Sequence, residues 1–303
     1  MQRTRVAVIG YGNVGRGAAD AVAASPDFEL AGIIRRRAAS GETLHGQGWE
    51  APAVERIADL GGAITGALVC APTRELARSE KALLEAGIST VDSFDVHGDA
   101  MLAHREELIP WAQAGESVAV IAAGWDPGAD SMVRALMEAL APSGITYTNF
   151  GPGMSMGHSV AVRAIRGVVD AISITLPAGW GKHRRAVYTV SDGSRPFQDI
   201  ESEIRHDPYF VHDQTDVFQV ESISGLFDTG HGVVIDRKGT SGAAANQILK
   251  WELHVCNPAF TGQTMLAALR AGLKQSPGVY AMPELPAAHL LPISIEETIR
   301  RLV

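Results

Sequence analysis

The chain has 303 residues, 46% of them hydrophobic and 20% charged, which is enough apolar material for ordinary cores and excludes a disordered chain. At roughly 150 residues per domain the length predicts two domains. Thirty-four acidic residues against 26 basic ones give a formal net charge of -8, which excludes a dedicated nucleic-acid binder, because a polyanion needs a net basic face.

The two cysteines, Cys70 and Cys256, form neither a disulfide framework nor a zinc set, and no metal site is read from the sequence. Both lie in apolar stretches and are expected to be buried thiols in a reducing compartment. No apolar run reaches the roughly 18 residues needed to cross a bilayer. The apolar start at Val6–Ile9 is broken by Gly10 to Asn13 before it can act as a signal segment, so a cytoplasmic location is expected.

In chain order, Val6 to Ile9 reads as a strand, Val14 to Ala24 as a helix and Phe28 to Ile34 as a second strand. Ala67 to Cys70 is a third strand, followed by a helix from about Glu75 to Ala86 and a strand from Ile88 to Val91. A helix through Ala100 to Gln113 precedes the strand Val118 to Ile121. Apolar strands alternating with helices predict a parallel sheet covered on both faces, and the right-handed crossover rule makes it doubly wound.

Asp126-Pro127-Gly128 reads as a helix start with Pro at the first helical position, the helix running to about Leu140. Beyond it strands dominate: 146–150, 171–176, 185–190, 217–223, 233–237 and 248–255. The expected fold class is thus an α/β, Rossmann-type doubly wound dinucleotide-binding domain plus an α+β substrate-binding domain. The expected boundaries are 1–122 for the first, completed by 278–303 with its amphipathic tail helix at Ile295 to Leu302, and 123–277 for the second.

Gly10-Tyr11-Gly12-Asn13-Val14-Gly15 is G-x-G-x-x-G between a strand and a helix. The first Gly permits the turn, the second lets a pyrophosphate approach the backbone, and the third lets helix and strand pack closely. The helix N-terminus offers free N–H groups and its positive dipole end. Where an NAD site places an acid after the second strand, this chain has Arg35-Arg36-Arg37. Guanidinium matches a 2′-phosphate by forked hydrogen bonds, so NADP is expected. Ala71, Pro72, Thr73 and Arg74 end the third strand at the same sheet edge and are further candidate cofactor contacts.

Two later strand ends carry acids. One is Asp92-Ser93-Phe94-Asp95, and the other is Gly124-Trp125-Asp126-Pro127-Gly128. Asp126 suits two readings, a helix N-cap or a carboxylate satisfied by a ligand ammonium. The stretch Gly151-Pro152-Gly153-Met154-Ser155-Met156-Gly157-His158 is a shaped loop, and His158 is either a cap or a proton carrier. Thr175, Arg185, His231 and Asn257 complete the polar candidates.

Taken together, GYGNVGR, VDSFDVHGD, AGWDPG, NFGPGMSMGHS, the stretch from Thr175 to Arg185 and the Asn257-Pro258 helix start resemble the meso-diaminopimelate dehydrogenase family, in order, over nearly the whole chain. The short span from Thr175 to Arg185, Met156 and Val160 resemble its shorter subgroup, related to D-amino acid dehydrogenases. The resemblance implies an NADP-dependent homodimer whose second domain also dimerises. The reaction it implies is reversible deamination of the D-centre of meso-2,6-diaminopimelate to L-2-amino-6-oxopimelate and ammonia.

It further implies that Asp95 and Asp126 hold the reacting amino group, with Trp125, Met156 and Gly157 beside it and Phe150 lining the pocket. Thr175, Arg185, His231 and Asn257 would hold the distal end. Tyr11 to Val14, Arg35, Arg36, Ala71 to Arg74, and Ser93, Phe94 and Asp95 would contact NADP. Asp126 or His158 would move protons. Two alternatives remain: a broader NADP-dependent D-amino acid dehydrogenase, and a non-catalytic NADP sensor.

Overall fold

The computed structural model describes residues 3–95 and 98–303, the side chains of Arg74, Met156, Phe227, Asp228 and Thr229 and the surroundings of Gly157 excepted. The strands are β1 (Thr4–Ile9), β2 (Phe28–Ile34), β3 (Thr43–Gly46), β4 (Trp49–Val54), β5 (Gly66–Val69), β6 (Ser89–Asp92), β7 (Val118–Ile121), β8 (Ser143–Phe150), β9 (Gly153–Met154), β10 (Val168–Gly179), β11 (Lys182–Ser191), β12 (Gln214–Gln219), β13 (His231–Ser241), β14 (Ala244–Val255) and β15 (Gly278–Ala281). The α-helices are α1 (Asn13–Ala24), α2 (Leu76–Glu85), α3 (Asp99–Ala114), α4 (Ala129–Leu140), α5 (Met156–Arg163), α6 (Phe197–His206), α7 (Asn257–Gly272) and α8 (Ile295–Leu302).

Two compact units result: 1–135 with 257–303, and 136–256. The first is built on a sheet of order β15-β7-β6-β5-β1-β2-β4-β3. All its pairings are parallel except β3 with β4. The apolar strand residues Val6, Val8, Ile33, Leu68, Val91 and Val120 are buried against α1 and α7 on one face, and Ala67, Val69, Ala119 and Ile121 against α2 and α3 on the other, the two-faced cover that a continuous apolar strand demands. The β3–β4 hairpin has no counterpart in the sequence reading. β3 is short and mostly exposed at the sheet edge, and in β4, which pairs with both β2 and β3, Pro52 argues against a strand in the sequence.

The units divide at 135/136 and 256/257, rather than at the expected 122/123 and 277/278. The reason is α7, which packs on α1 so closely that a side chain on Gly17 would meet the carbonyl of Pro258 at 2.5 Å. Arg270 fastens it there. Its guanidinium bonds both carboxylate oxygens of Asp27 at 2.6 and 2.9 Å, and the carbonyl of Leu290 at 2.9 Å.

The second unit holds a mixed sheet, β12-β11-β10-β9, and an antiparallel one, β14-β13-β8. A core of Val162, Ala171, Val187, Ile200, Ile204 and Phe210 is fully buried, or nearly so. This is the α+β organisation expected from strands in succession.

Candidate active site

The loop after β1 makes a cradle. Gly10 has φ +90°, and a side chain on it would meet the carbonyl oxygen of Cys70 at 2.6 Å. A side chain on Gly15 would lie 2.1 Å from the carbonyl of Gly10. Gly12 faces open space at the N-terminus of α1, where no side chain caps the free N–H groups. A cleft of about 610 Å³ opens there, lined by Gly10 to Val14, Arg35, Arg36, Glu55, Ala71 and Pro72, among others. A pyrophosphate fits this cradle on both counts: close backbone approach and unpaired donors.

Arg36 is exposed at the cleft, whereas Arg35 is partly engaged. The Nη2 of Arg35 donates to both oxygens of Glu42 at 2.5 and 2.7 Å, and its buried Nε has no protein partner. An orphaned guanidinium N–H on the cleft wall suits an anion. Glu42 was not recognised from sequence. The turn between them is irregular, so their spacing carries no signal of the pairing. Cys70 also lines the cleft, and burial pushes its thiol up to about 12. Cys256, expected to be buried, is exposed because β14 has run out of the sheet at that point.

The two acidic strand ends differ from their sequence readings. Thr73 donates to Asp95 at 2.6 Å, so the ends of β5 and β6 meet through this hydroxyl. Asp126 is not an N-cap and Pro127 is not the first helical residue, for α4 begins at Ala129. The first N–H groups of α4 are met instead by turn carbonyls: Ala129 donates to Gly124 at 3.1 Å, and Asp130 to Trp125 at 3.0 Å. The carboxylate of Asp126, 3% exposed, takes two bonds from Arg134 at 2.7 and 3.0 Å. Burial opposes the charge of Arg134, and Asp126 and Asp130 override it. No periodic pattern links Asp126 to Arg134, so sequence reading missed the pair.

Asn257 starts α7 and belongs to the first unit, with Trp125 and Asp126. Its side-chain oxygen accepts from Thr261 at 2.8 Å. Ser93 and Thr261 both lie within 4 Å of where a side chain on Gly124 would begin. Phe94 is buried in the first unit's core. The side chains of Arg74 and Met156 and the environment of Gly157 lie outside the described residues, as do Val96 and His97.

In the second unit the register of β10 and β11 sets Thr175 opposite Arg185. Arg185 donates to the Thr175 hydroxyl, and its Nε bonds Asp213 at 2.6 Å. Asp213, absent from the sequence reading, is the counter-charge of this arginine. His183, two residues along β11 on the same face, accepts the N–H of Phe150 at 3.1 Å. Gly151 has φ +103°, and a side chain there would strike the carbonyl of Thr175 at 2.3 Å. Its N–H donates to Gly232 at 2.6 Å, and Met154 to Gly230 at 2.9 Å. The loop therefore gathers Phe150, Thr175, Arg185 and His231.

His158 is held by Ser155 at 2.8 Å and edge-on by Tyr209 and Phe210. Burial, then the charge of Arg185, lowers its pKa. The same two causes lower that of His183, and burial alone that of His231. All three are neutral imidazoles near pH 7.

Among the described residues, one group has the geometry to attract a metal: Glu80, Asp92 and His104, all buried. Asp92 already accepts Phe94 N–H at 2.7 Å, Ala122 N–H at 2.9 Å and His104 at 3.0 Å, so its oxygens are committed. No helix among the described residues is long and apolar enough to cross a membrane.

Against this geometry, the oxidoreductase family with an NAD-binding Rossmann fold matches residues 4–91. The family described as the diaminopimelic acid dehydrogenase C-terminal domain matches residues 124–181. A Bacteroides fragilis protein named meso-diaminopimelate D-dehydrogenase is 46% identical over 303 residues, all of both chains. The chain belongs to the meso-diaminopimelate dehydrogenase family.

It is therefore an enzyme, an oxidoreductase of the class acting on CH–NH2 groups, with the Rossmann domain of that family. Among solved structures it is similar to the Corynebacterium glutamicum DAP dehydrogenase in complex with DAP, at TM-score 0.84 and 28% identity over all of both chains. It is also similar to an engineered D-amino acid dehydrogenase bound to NADP+, at TM-score 0.77 and 28% identity over all of both chains.

Proposed function

We propose that this enzyme is an NADP-dependent dehydrogenase that reversibly deaminates the D-centre of meso-2,6-diaminopimelate to L-2-amino-6-oxopimelate and ammonia. The product cyclises to tetrahydrodipicolinate, which places the reaction in the synthesis of lysine and peptidoglycan precursors. The observation that carries this reading is the pairing of Arg185 with Thr175 across β10 and β11. A forked cation beside a hydroxyl is a carboxylate receptor, and a dehydrogenase for simple amino acids has no second carboxylate to place there.

NADP, when bound, supplies the hydride acceptor. Arg36, with the orphaned Nε of Arg35, holds its 2′-phosphate, and Gly10 to Gly15 hold the pyrophosphate, with Ala71 to Arg74 and Ser93 to Asp95 as further contacts. Asp126, fixed by Arg134, and Asp95, fixed by Thr73, receive the ammonium of the reacting centre, with Trp125, Met156, Gly157 and Phe150 shaping its surroundings. Asp126, already ion-paired, acts as a fixed counter-charge, and the neutral imidazole of His158 accepts a proton. Thr175, Arg185, His231 and Asn257 read the distal amino acid.

A second reading is a D-amino acid dehydrogenase of broader specificity. It is favoured by Asp213, which neutralises Arg185 and so lowers the cost of leaving the receptor empty. On the same reading the protein works in the cytoplasm as a homodimer joined through its second unit, and sedimentation tests the dimer. For the reaction, the test is NADPH formation from the isomers of diaminopimelate. The meso isomer is expected to be oxidised and the LL isomer, which lacks a D-centre, to be inert. Equal use of both overturns the assignment.

A further inference from the structure

Both loops that bear acids in the first unit are tied to one buried carboxylate that the chemistry above leaves unused. Asp92 ends β6 with no exposed surface. Its Oδ1 accepts the N–H of Phe94, the neighbour of Asp95, at 2.7 Å. The same oxygen accepts the N–H of Ala122 at 2.9 Å, and the Asp92 carbonyl accepts that of Ala123 at 2.8 Å.

Ala122 sits at φ +56°, in the left-handed region. An L-residue is strained in that region and stays there only when its surroundings hold it. Beyond Ala122, the turn from Gly124 to Gly128 is closed by its own hydrogen bonds, so the placement of Ala122 carries through to Asp126.

Asp92 is itself clamped. Its Oδ2 lies 3.0 Å from Nε2 of His104, which is also buried. The ring of His104 stacks on Phe94 at 4.4 Å between centroids and 9° between planes. Behind them Glu80, fully buried, accepts from Thr90 at 2.7 Å. Burial and then the charge of Asp92 hold Glu80 well above the usual carboxylate range.

We propose that Asp92, clamped by His104, is the positioning residue that sets the Asp95 and Asp126 loops in mutual register. It touches neither substrate nor cofactor. Losing it loosens both loops together and lets Ala122 leave its left-handed conformation. The proposal rests on the reading that Asp95 and Asp126 serve the reacting end.

The test is a set of variants, Asp92→Ala, Asp92→Asn, Ala122→Gly, Ala122→Val and the double variant Asp92→Ala with Ala122→Gly. Each is assayed for kcat and KM with meso-diaminopimelate and NADP, and for amide hydrogen exchange at 93–95 and 122–126. A displacement near 1 Å costs about a hundredfold in rate, so Asp92→Ala is expected to lose about that much kcat while KM for NADP stays within about threefold. Exchange should quicken at both loops. Asp92→Asn keeps the acceptor oxygen and should recover to within about fivefold of the parent. Ala122→Gly relieves the strain, so alone it should be neutral and in the Asp92→Ala background it should restore part of kcat.

Parent-like kcat in Asp92→Ala, or faster exchange at only one of the two loops, overturns the proposal. If Asp92→Ala does not fold, Ala122→Val decides. A β-branched residue cannot hold this conformation, so kcat must fall about tenfold or more with KM for NADP unchanged, and parent-like kcat refutes the clamp. If the parent does not oxidise meso-diaminopimelate, the functional reading fails on its own, and hydrogen exchange at the two loops still decides the clamp.

Discussion

The cofactor preference yields the most detailed prediction, because the structure separates three side chains that the sequence lists as one basic run. Arg36 is exposed at the cleft, and each charge-assisted bond it gives a 2′-phosphate is worth about 1.5–3 kcal/mol. Arg36→Ala should therefore raise the Michaelis constant for NADP by about 10- to 150-fold and leave that for NAD within about twofold. Arg35→Ala acts twice, removing a donor and releasing the carboxylate of Glu42 beside the incoming phosphate.

Glu42→Gln is the informative inverse. It frees Arg35 and deletes an anion, so NADP should bind more tightly. The pair is 34% and 20% exposed, which keeps the gain near 0.5–1 kcal/mol, about two- to fivefold. Steady-state kinetics with both cofactors measures this, and fluorescence titration with NADPH repeats it without turnover. Equal losses on NAD and NADP in Arg36→Ala, or weaker NADP binding in Glu42→Gln, would refute the assignment of this end of the cleft.

Four further outcomes are expected. Arg185→Met leaves the carboxylate of Asp213, 22% exposed, without its partner, at a cost of about 1–3 kcal/mol that Arg185→Met with Asp213→Asn removes in a denaturation series. Arg185→Met and His231→Val should each cut efficiency on meso-diaminopimelate at least about tenfold while activity on D-leucine holds or rises; a proportional loss on both substrates contradicts the distal assignment. The folded pKa values of His158, His183 and His231 lie below the ordinary value near 6.5, so the unfolded chain binds protons first and stability, full above about pH 6.5, falls on acidification through the folded values. Urea midpoints that fail to drop from neutral pH toward pH 5 count against buried neutral histidines. A thiol reagent should modify Cys256 fast and Cys70 only on unfolding, since Cys70 is pushed up to about 12, and two fast thiols would contradict this.

The parallel sheet was legible because its strands are continuous apolar runs, and the cradle because glycine there has steric reasons that act locally. Phe28–Ile34, Val118–Ile121 and Ile295–Leu302 fall where the pattern places them. The β3–β4 hairpin was not legible, since β3 is exposed and the buried residues of β4 are only the small Ala51 and Ala53 around Pro52. Individual site residues were visible by type, but their partners were not. Arg134 and Asp213 reach Asp126 and Arg185 through a helix turn and a parallel register, neither of which composition encodes. The cap reading of Asp126 failed for the same reason: Asp before Pro fits an N-cap locally, and only the closed turn from Gly124 to Gly128 shows the carboxylate facing elsewhere.

On the proposed function, the enzyme uses NADP and reads both ends of its amino acid. Initial rates with meso-diaminopimelate, D-alanine and D-leucine, each with NADP and with NAD, measure this directly. The efficiency with meso-diaminopimelate and NADP should exceed every other combination by about tenfold or more. Equal efficiency with D-leucine, or with NAD, would contradict it.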